Sequence, residues 1–426
     1  MEEIYVNVEL LVLIILAILI LGIKNRTFSL KLIKIVFIAF LFINPLQLLL
    51  VSASSTLLTD ITLIVFSEVI VIQNLISIII KPNHNRFFQI SLVMITTCLI
   101  GIMFAVNILI ITGWFACLLL FVLITFFASG EPKVFEEYRP IIISFSIGII
   151  VFFVFSLLLT ILTGNVLLMG ENTGSEIYMI ILLFTVGILG GIFPFNLLLN
   201  KFLRDSDFQT LNLYMIMQYS LLFFLIRSLF LIDSYIPQFG IVLLLIAILG
   251  LSVSIFNIYN KLFFNFGRNP ISIRRLLGTI FILDFNSILL LASLLFFTDL
   301  PMMDTFLNYI FFTFLAKFML VVPLQYKMKR VNTDNLNKLS NLFQEERFLG
   351  VSSLISGFIT AFPSTILSYF IILNSLLSYE IRSNVIIFSI VIIVLVIHSF
   401  YVLTNIIGNT SISIKINFNK EFRKTD

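Results

Sequence analysis

A few ionisable side chains of this sequence stand deep inside long apolar runs, where no water is available to hold a charge. Glu68 lies midway along the run 57–80, Asp284 a third to halfway along 276–298, Lys317 midway along 303–325, and His398 toward the end of 384–407. A charge near the centre of a bilayer costs roughly 2.5–3.5 kcal/mol on insertion scales, so residues of this kind are functional candidates by default. At about 1.5 Å of rise per residue, Glu68, Asp284 and Lys317 fall at nearly the same depth. Proton exchange is the chemistry open to them. Lys317 with Asp284 or Glu68 would form a buried relay, in which each charge lowers the cost of its neighbour and changes how tightly the other holds its proton. A static ion pair that pins helices together is the plain alternative, and for Lys317 the two readings weigh equally. For Glu68 the static role is the simpler account. For His398 it is a neutral imidazole bonded across helices.

The elements that would carry these groups follow from composition. Of the 426 residues 60% are hydrophobic and 11% charged, and the mean hydropathy is +1.14, more apolar surface than a single soluble core could hide. Runs of about 20 apolar residues, the length that crosses a bilayer, recur along the whole chain. They predict thirteen spans, at 5–23, 35–54, 57–80, 87–106, 107–129, 141–163, 177–200, 211–232, 238–260, 276–298, 303–325, 349–377 and 384–407. The connections after odd-numbered spans, with the C-terminal tail, hold 23 of the 26 Lys and Arg residues; the opposite side holds acids and only Arg382. Basic residues mark the cytoplasmic side, so this alternation predicts an N-terminus outside and a C-terminus on the cytoplasmic or matrix side. The acidic Met1–Glu3 start lacks a basic signal region, and the first span is expected to be retained. The membrane would be a bacterial or archaeal cytoplasmic membrane or the mitochondrial inner membrane.

No catalytic, metal or cofactor site is expected. The chain has no Gly-rich phosphate loop and no metal-spaced cluster, and it contains two histidines and two cysteines. Cys98 and Cys117 both fall in spans, which indicates neither a disulfide framework nor a metal. The net charge of +4 reflects topology and not nucleic acid. Pro194, in span seven, and Pro363, in span twelve, each remove a backbone donor where a helix should continue, so both spans are expected to break there. Broken helices five spans apart allow an inverted repeat, and such breaks line transport paths in some membrane folds.

Three ordered segments resemble the antiporter-like membrane subunits of respiratory complex I, membrane-bound hydrogenases and multisubunit cation/proton antiporters, in particular the subunit N (ND2-like) branch. "GGIFPFNLLLNK" and the span after it are similar to the family's seventh-span motif, with Pro194, Phe195 and Arg227 matching and Asn196 in place of a histidine. "ISIRRLLGTIFILDFNSILLL" is similar to the opening of the family's tenth span, with Arg274 and Arg275 in register and Asp284 at a histidine's place. "LISGFITAFPSTILSYFIIL" resembles its broken twelfth span, with Gly357 and Pro363. The resemblance runs from Gly187 to about Leu403. It implies an all-α membrane domain: spans one to three over 1–86, repeats over 87–232 and 238–407, and a tail over 408–426.

The departures from the family pattern concern its proton path. Where that family carries a glutamate on span five and lysines on spans seven, eight and twelve, this chain has Phe115, Leu189, Gln218 and, within a residue, Leu367. A leucine or phenylalanine holds no proton. The resemblance therefore implies an antiporter-like subunit of a redox-driven proton- or cation-translocating complex whose conduction is lost, or rebuilt on Asp284, Lys317, Glu68, Gln218 and His398. Its partners would be other hydrophobic subunits, lipids and a proton or sodium ion. Two alternatives stand beside this reading: a free-standing lipid-linked oligosaccharide flippase or related exporter, and a purely structural membrane subunit.

Overall fold

The computed structural model describes residues 2–52, 58–80, 85–105, 108–129, 132–163, 208–231, 237–264, 273–295 and 303–331, with isolated positions at 180, 183–184, 187–188, 351 and 355. Among the described residues all regular structure is α-helical: α1 (Glu2–Gly22), α2 (Arg26–Ser52), α3 (Leu58–Ile80), α4 (Arg86–Phe104), α5 (Ile108–Ser129), α6 (Pro132–Thr163), α7 (Phe208–Leu231), α8 (Pro237–Phe264), α9 (Ile273–Leu295) and α10 (Met303–Val331). These fall, in order, on spans one to six and eight to eleven of the sequence reading. Spans seven, twelve and thirteen lie outside the described residues, apart from a few positions. The shortest helix has 19 residues and the longest 32, about 28 and 48 Å at 1.5 Å per residue.

Several helices outrun their apolar cores. α6 starts at Pro132 and not at 141, α2 at Arg26 and not at 35, and α10 continues to Val331. Lys31, Lys34, Lys133, Arg139, Lys327, Lys329 and Arg330 are therefore on helix ends, where the sequence reading placed them in connections. A helix needs no apolar side chains to continue through the polar interface, because its backbone bonds are satisfied within itself.

The helices divide into two compact units. Unit 1 comprises Met1–Gly191, Gln209–Tyr235 and Met303–Asn308; unit 2 comprises Ile192–Phe208, Ile236–Met302 and Tyr309–Asp426. In unit 1, α4 packs against α1, α2, α3 and α5, and α6 packs on α5. α4 is accordingly buried almost all round from Phe88 to Met103, and α7 from Leu211 to Leu225. α1 has two faces instead: Leu13, Leu16, Ala17 and Ile20 are buried, whereas Leu11, Ile15, Ile18 and Leu19 are exposed apolar residues. Exposed aliphatic faces of this kind suit hydrocarbon or a sister subunit and not water.

Local chemistry fixes the helix ends. Asn85 caps α4, its Oδ1 accepting from the Phe87 amide at 3.1 Å, and Asn25 caps α2 through the Thr27 amide at 3.0 Å. Arg86 Nε donates to the Ile20 carbonyl at 2.9 Å, placing a cation on the electronegative end of α1. In unit 2, α8 packs on α9. A Cβ at Gly250 would overlap the Asn286 side chain, so only glycine lets α8 approach that amide.

Candidate functional site

The site assembles on α9 and α10. α9 is buried all round from Ile280 to Ser293, so any polar side chain on it must find a protein partner. Residues two apart on a helix point to nearly opposite sides, and α9 uses this geometry. Asn286 faces Gly250 on α8 and also donates from Nδ2 to its own helix at the Ile282 carbonyl, 2.8 Å away. Asp284 faces α10 and forms an ion pair with Lys317. Lys317 is completely buried and Asp284 is 3% exposed. The hydroxyls of Ser287 and Ser293 turn back onto the carbonyls of Leu283 and Leu290, at 2.8 and 2.6 Å.

Proton exchange within the pair is the chemistry open to this arrangement. An ammonium–carboxylate pair taken out of water lies close in energy to its neutral amine–carboxylic acid form, because both charges carry a large desolvation penalty that transfer of one proton removes. Thr313, one turn before Lys317, is buried as well. Pro323 lies inside α10, where it denies the Met319 carbonyl its intrahelical donor and favours a kink. Two residues on, Gln325 is buried and its Nε2 has no hydrogen-bond partner among the described residues. Pro323 stands within the apolar run 303–325, so the sequence itself carries the signal for this kink.

The remaining sequence candidates are distributed differently. Glu68 is half-buried on α3 in unit 1, whereas Asp284 and Lys317 both belong to unit 2. Gln218 is buried on α7, and Arg274 is half-buried in the first turn of α9. Arg227 and Arg275 sit on α7 and α9, with side chains outside the described set. His398, Pro194, Phe195, Gly357 and Pro363 lie outside the described residues, as do Leu189 and Leu367.

Among the described residues, the fully buried polar side chains of unit 1 are neutral. Gln73 Nε2 on α3 donates to Asn212 Oδ1 on α7 at 2.5 Å, and Asn74 Nδ2 donates to Thr96 Oγ1 on α4 at 2.7 Å. Phe66 on α3 meets Phe223 on α7 at 5.0 Å between ring centroids. Going from residue 66 to 73 on α3 thus means going from 223 down to 212 on α7, so the two helices run antiparallel. Phe115 on α5 is fully buried against Phe152 of α6, at 5.1 Å, and Phe224 of α7, at 5.9 Å. An aromatic cluster therefore fills the position where the resemblance led one to look for a glutamate. Neither amide pair was legible in the sequence, which shows polar residues in a helix but not their partners.

Solved structures share this fold. Over 94% of its length the chain is similar to 88% of a chain of respiratory complex I from Thermus thermophilus with bound aureothin, at a TM-score of 0.70 and 12% identity. It is similar over 95% of its length to 79% of a chain of the Mrp complex from Dietzia sp. DQ12-45-1b, at 0.75 and 14%. A chain of the membrane-bound sulfane sulfur reductase, an archaeal respiratory membrane complex, matches over 94% of this chain and 87% of its own, at 0.70 and 13%. No protein-family model and no curated protein sequence matches. The fold is thus shared with chains of these three complexes, at identities of 12–14%.

Proposed function

We propose that the chain is an antiporter-like subunit of a membrane-embedded, redox-driven or cation-translocating complex, and that Asp284 and Lys317 carry the proton or sodium ion it moves. The observation that carries this reading is the ion pair itself: a lysine with no exposed surface, held by a nearly buried aspartate, on the long helices α9 and α10. Fold likeness to chains of complex I, the Mrp complex and a sulfane sulfur reductase supports the kind of assembly. Thirteen spans in two inverted repeats, with the N-terminus outside, complete the reading. The basic helix ends and tail then face the cytoplasm, with sister subunits and lipid around the exposed apolar faces.

The ion path differs from the family's own. Phe115 fills the glutamate's place with an aromatic cluster, and Gln218 replaces a lysine with a neutral amide, so unit 1 has no charged axis at these positions. Those same substitutions favour the second reading, a structural subunit that packs without conducting. Transport by the intact complex separates the two. Lys317→Met and Asp284→Asn should each abolish ion translocation, measured with a pH-sensitive dye and a sodium tracer in proteoliposomes, while the complex still assembles. Unchanged translocation in both variants would leave only the structural reading. Purification as a lone chain in mild detergent would point to the exporter instead.

A further inference from the structure

The sequence reading set Cys98 and Cys117 aside as separate residues in separate spans; the fold brings them together. α4 and α5 are close neighbours in unit 1. They meet most tightly at Gly101, where a Cβ would run into the indole of Trp114, so the backbone of α4 lies directly against that ring. One turn back along α4 from Gly101 is Cys98, and one turn on along α5 from Trp114 is Cys117. The Gly101–Trp114 contact therefore sets the two thiols level with each other on facing turns of α4 and α5. Because the pairs 98 with 117 and 101 with 114 run in opposite directions, the helices are antiparallel, and the glycine that seats Trp114 also sets the spacing at the thiols.

We infer that Cys98 and Cys117 form a dithiol oxidisable to an intramolecular disulfide by a lipid-soluble quinone. Cysteines on facing turns of two helices packed as closely as α4 and α5 are at Gly101 can reach disulfide geometry mainly by side-chain rotation. Depth restricts the oxidant to a lipid-soluble one. Cys98 is the thirteenth of the 19 residues of α4 and Cys117 the tenth of the 22 of α5. At mid-helix, both are set away from oxidised glutathione and other polar disulfides. Cys98 is buried, but Cys117 is partly exposed beside the exposed residues Ile110, Gly113, Ala116 and Leu120 on the outward face of α5, and this gives a membrane-dissolved oxidant its approach. The reaction balances as two thiols plus quinone giving one disulfide plus hydroquinone. Two S–H bonds break and one S–S bond forms, and both electrons and both protons leave on the quinone.

The test uses the full chain in liposomes with a fully substituted benzoquinone, which cannot add to thiols. After quenching, denaturation and alkylation, the oxidised protein should take up no alkyl group and weigh less by the mass of two hydrogen atoms, with both changes reversed by a phosphine reductant. Cys98→Ser and Cys117→Ser, chosen as near-isosteric replacements, should each keep the remaining thiol alkylatable after the same treatment. Two alkylatable thiols in the treated wild-type chain overturn the proposal. So does loss of the remaining thiol in either variant, because the reaction would then not require the pair.

Discussion

Unit 1 and unit 2 both bury polar side chains among apolar helices, and they choose different chemistry to do so. In unit 1 the fully buried polar groups described are amides and hydroxyls, two pairs of which join helices, Gln73 with Asn212 and Asn74 with Thr96, beside an aromatic cluster around Phe115. In unit 2 an ammonium meets a carboxylate. Neutral pairs are inexpensive in a membrane and hold helices in register. A buried ion pair is costly, and apolar residues of similar volume often replace one with no loss of stability. On the proposed reading, the Asp284–Lys317 pair is kept in unit 2 for ion transfer and not for stability.

That contrast can be broken most forcefully at the ion pair. Lys317→Met strands the Asp284 carboxylate, and removing one partner of a buried pair costs about 3–5 kcal/mol. The double replacement Lys317→Met with Asp284→Leu should recover most of that loss in thermal unfolding of the complex, yet restore no ion transport. If the double variant stays as unstable as the single one, the pair is a packing element after all, and the difference between the units is only one of polarity.

The next largest effect is expected in unit 1. Phe115 is fully buried between Phe152 and Phe224, and truncation of such a ring to alanine costs about 3 kcal/mol or more through lost contacts and the cavity left behind. Phe115→Ala should therefore lower the unfolding midpoint while leaving the transport rate of the surviving folded complex unchanged. A fall in transport per folded complex comparable to that of Lys317→Met would place unit 1 on the ion path.

Sequence alone exposed these regions unequally. Asp284 and Lys317 stood out because a charge in an apolar run is anomalous in itself, and their depth could be counted from the run's ends. Which acid Lys317 would take could not be read, since Glu68 lay at the same depth and periodicity carries no partner information. The helices were visible as apolar runs, but their ends at Arg26, Pro132 and Val331 were not, because polar residues continue a helix through the interface without any change in hydropathy. The contact of Gln73 with Asn212 spans 139 residues of sequence, and that of Cys98 with Cys117 depends on the close approach at Gly101. Both are set by how helices cross, which a single sequence does not encode in any local pattern.

The smallest effect is the sharpest probe of what the neutral interior does. Gln73→Met keeps the length of the side chain and removes its amide, leaving Asn212 Oδ1 without that donor. Side-chain hydrogen bonds between membrane helices couple by about 0.6 kcal/mol on average and rarely beyond about 1.7 kcal/mol. A double-mutant cycle of Gln73→Met with Asn212→Leu, read by chemical or thermal unfolding, should return a coupling in that range, well below the ion pair's. A bond of this size holds α3 and α7 in register but cannot bias a transport equilibrium by much, since about 1.4 kcal/mol corresponds to a factor of ten. Coupling of several kcal/mol would instead mean that the amide pair acts within a larger cooperative network. The neutral interior of unit 1 would then have to be counted, with the charged interior of unit 2, among the parts whose polar groups exceed what packing requires.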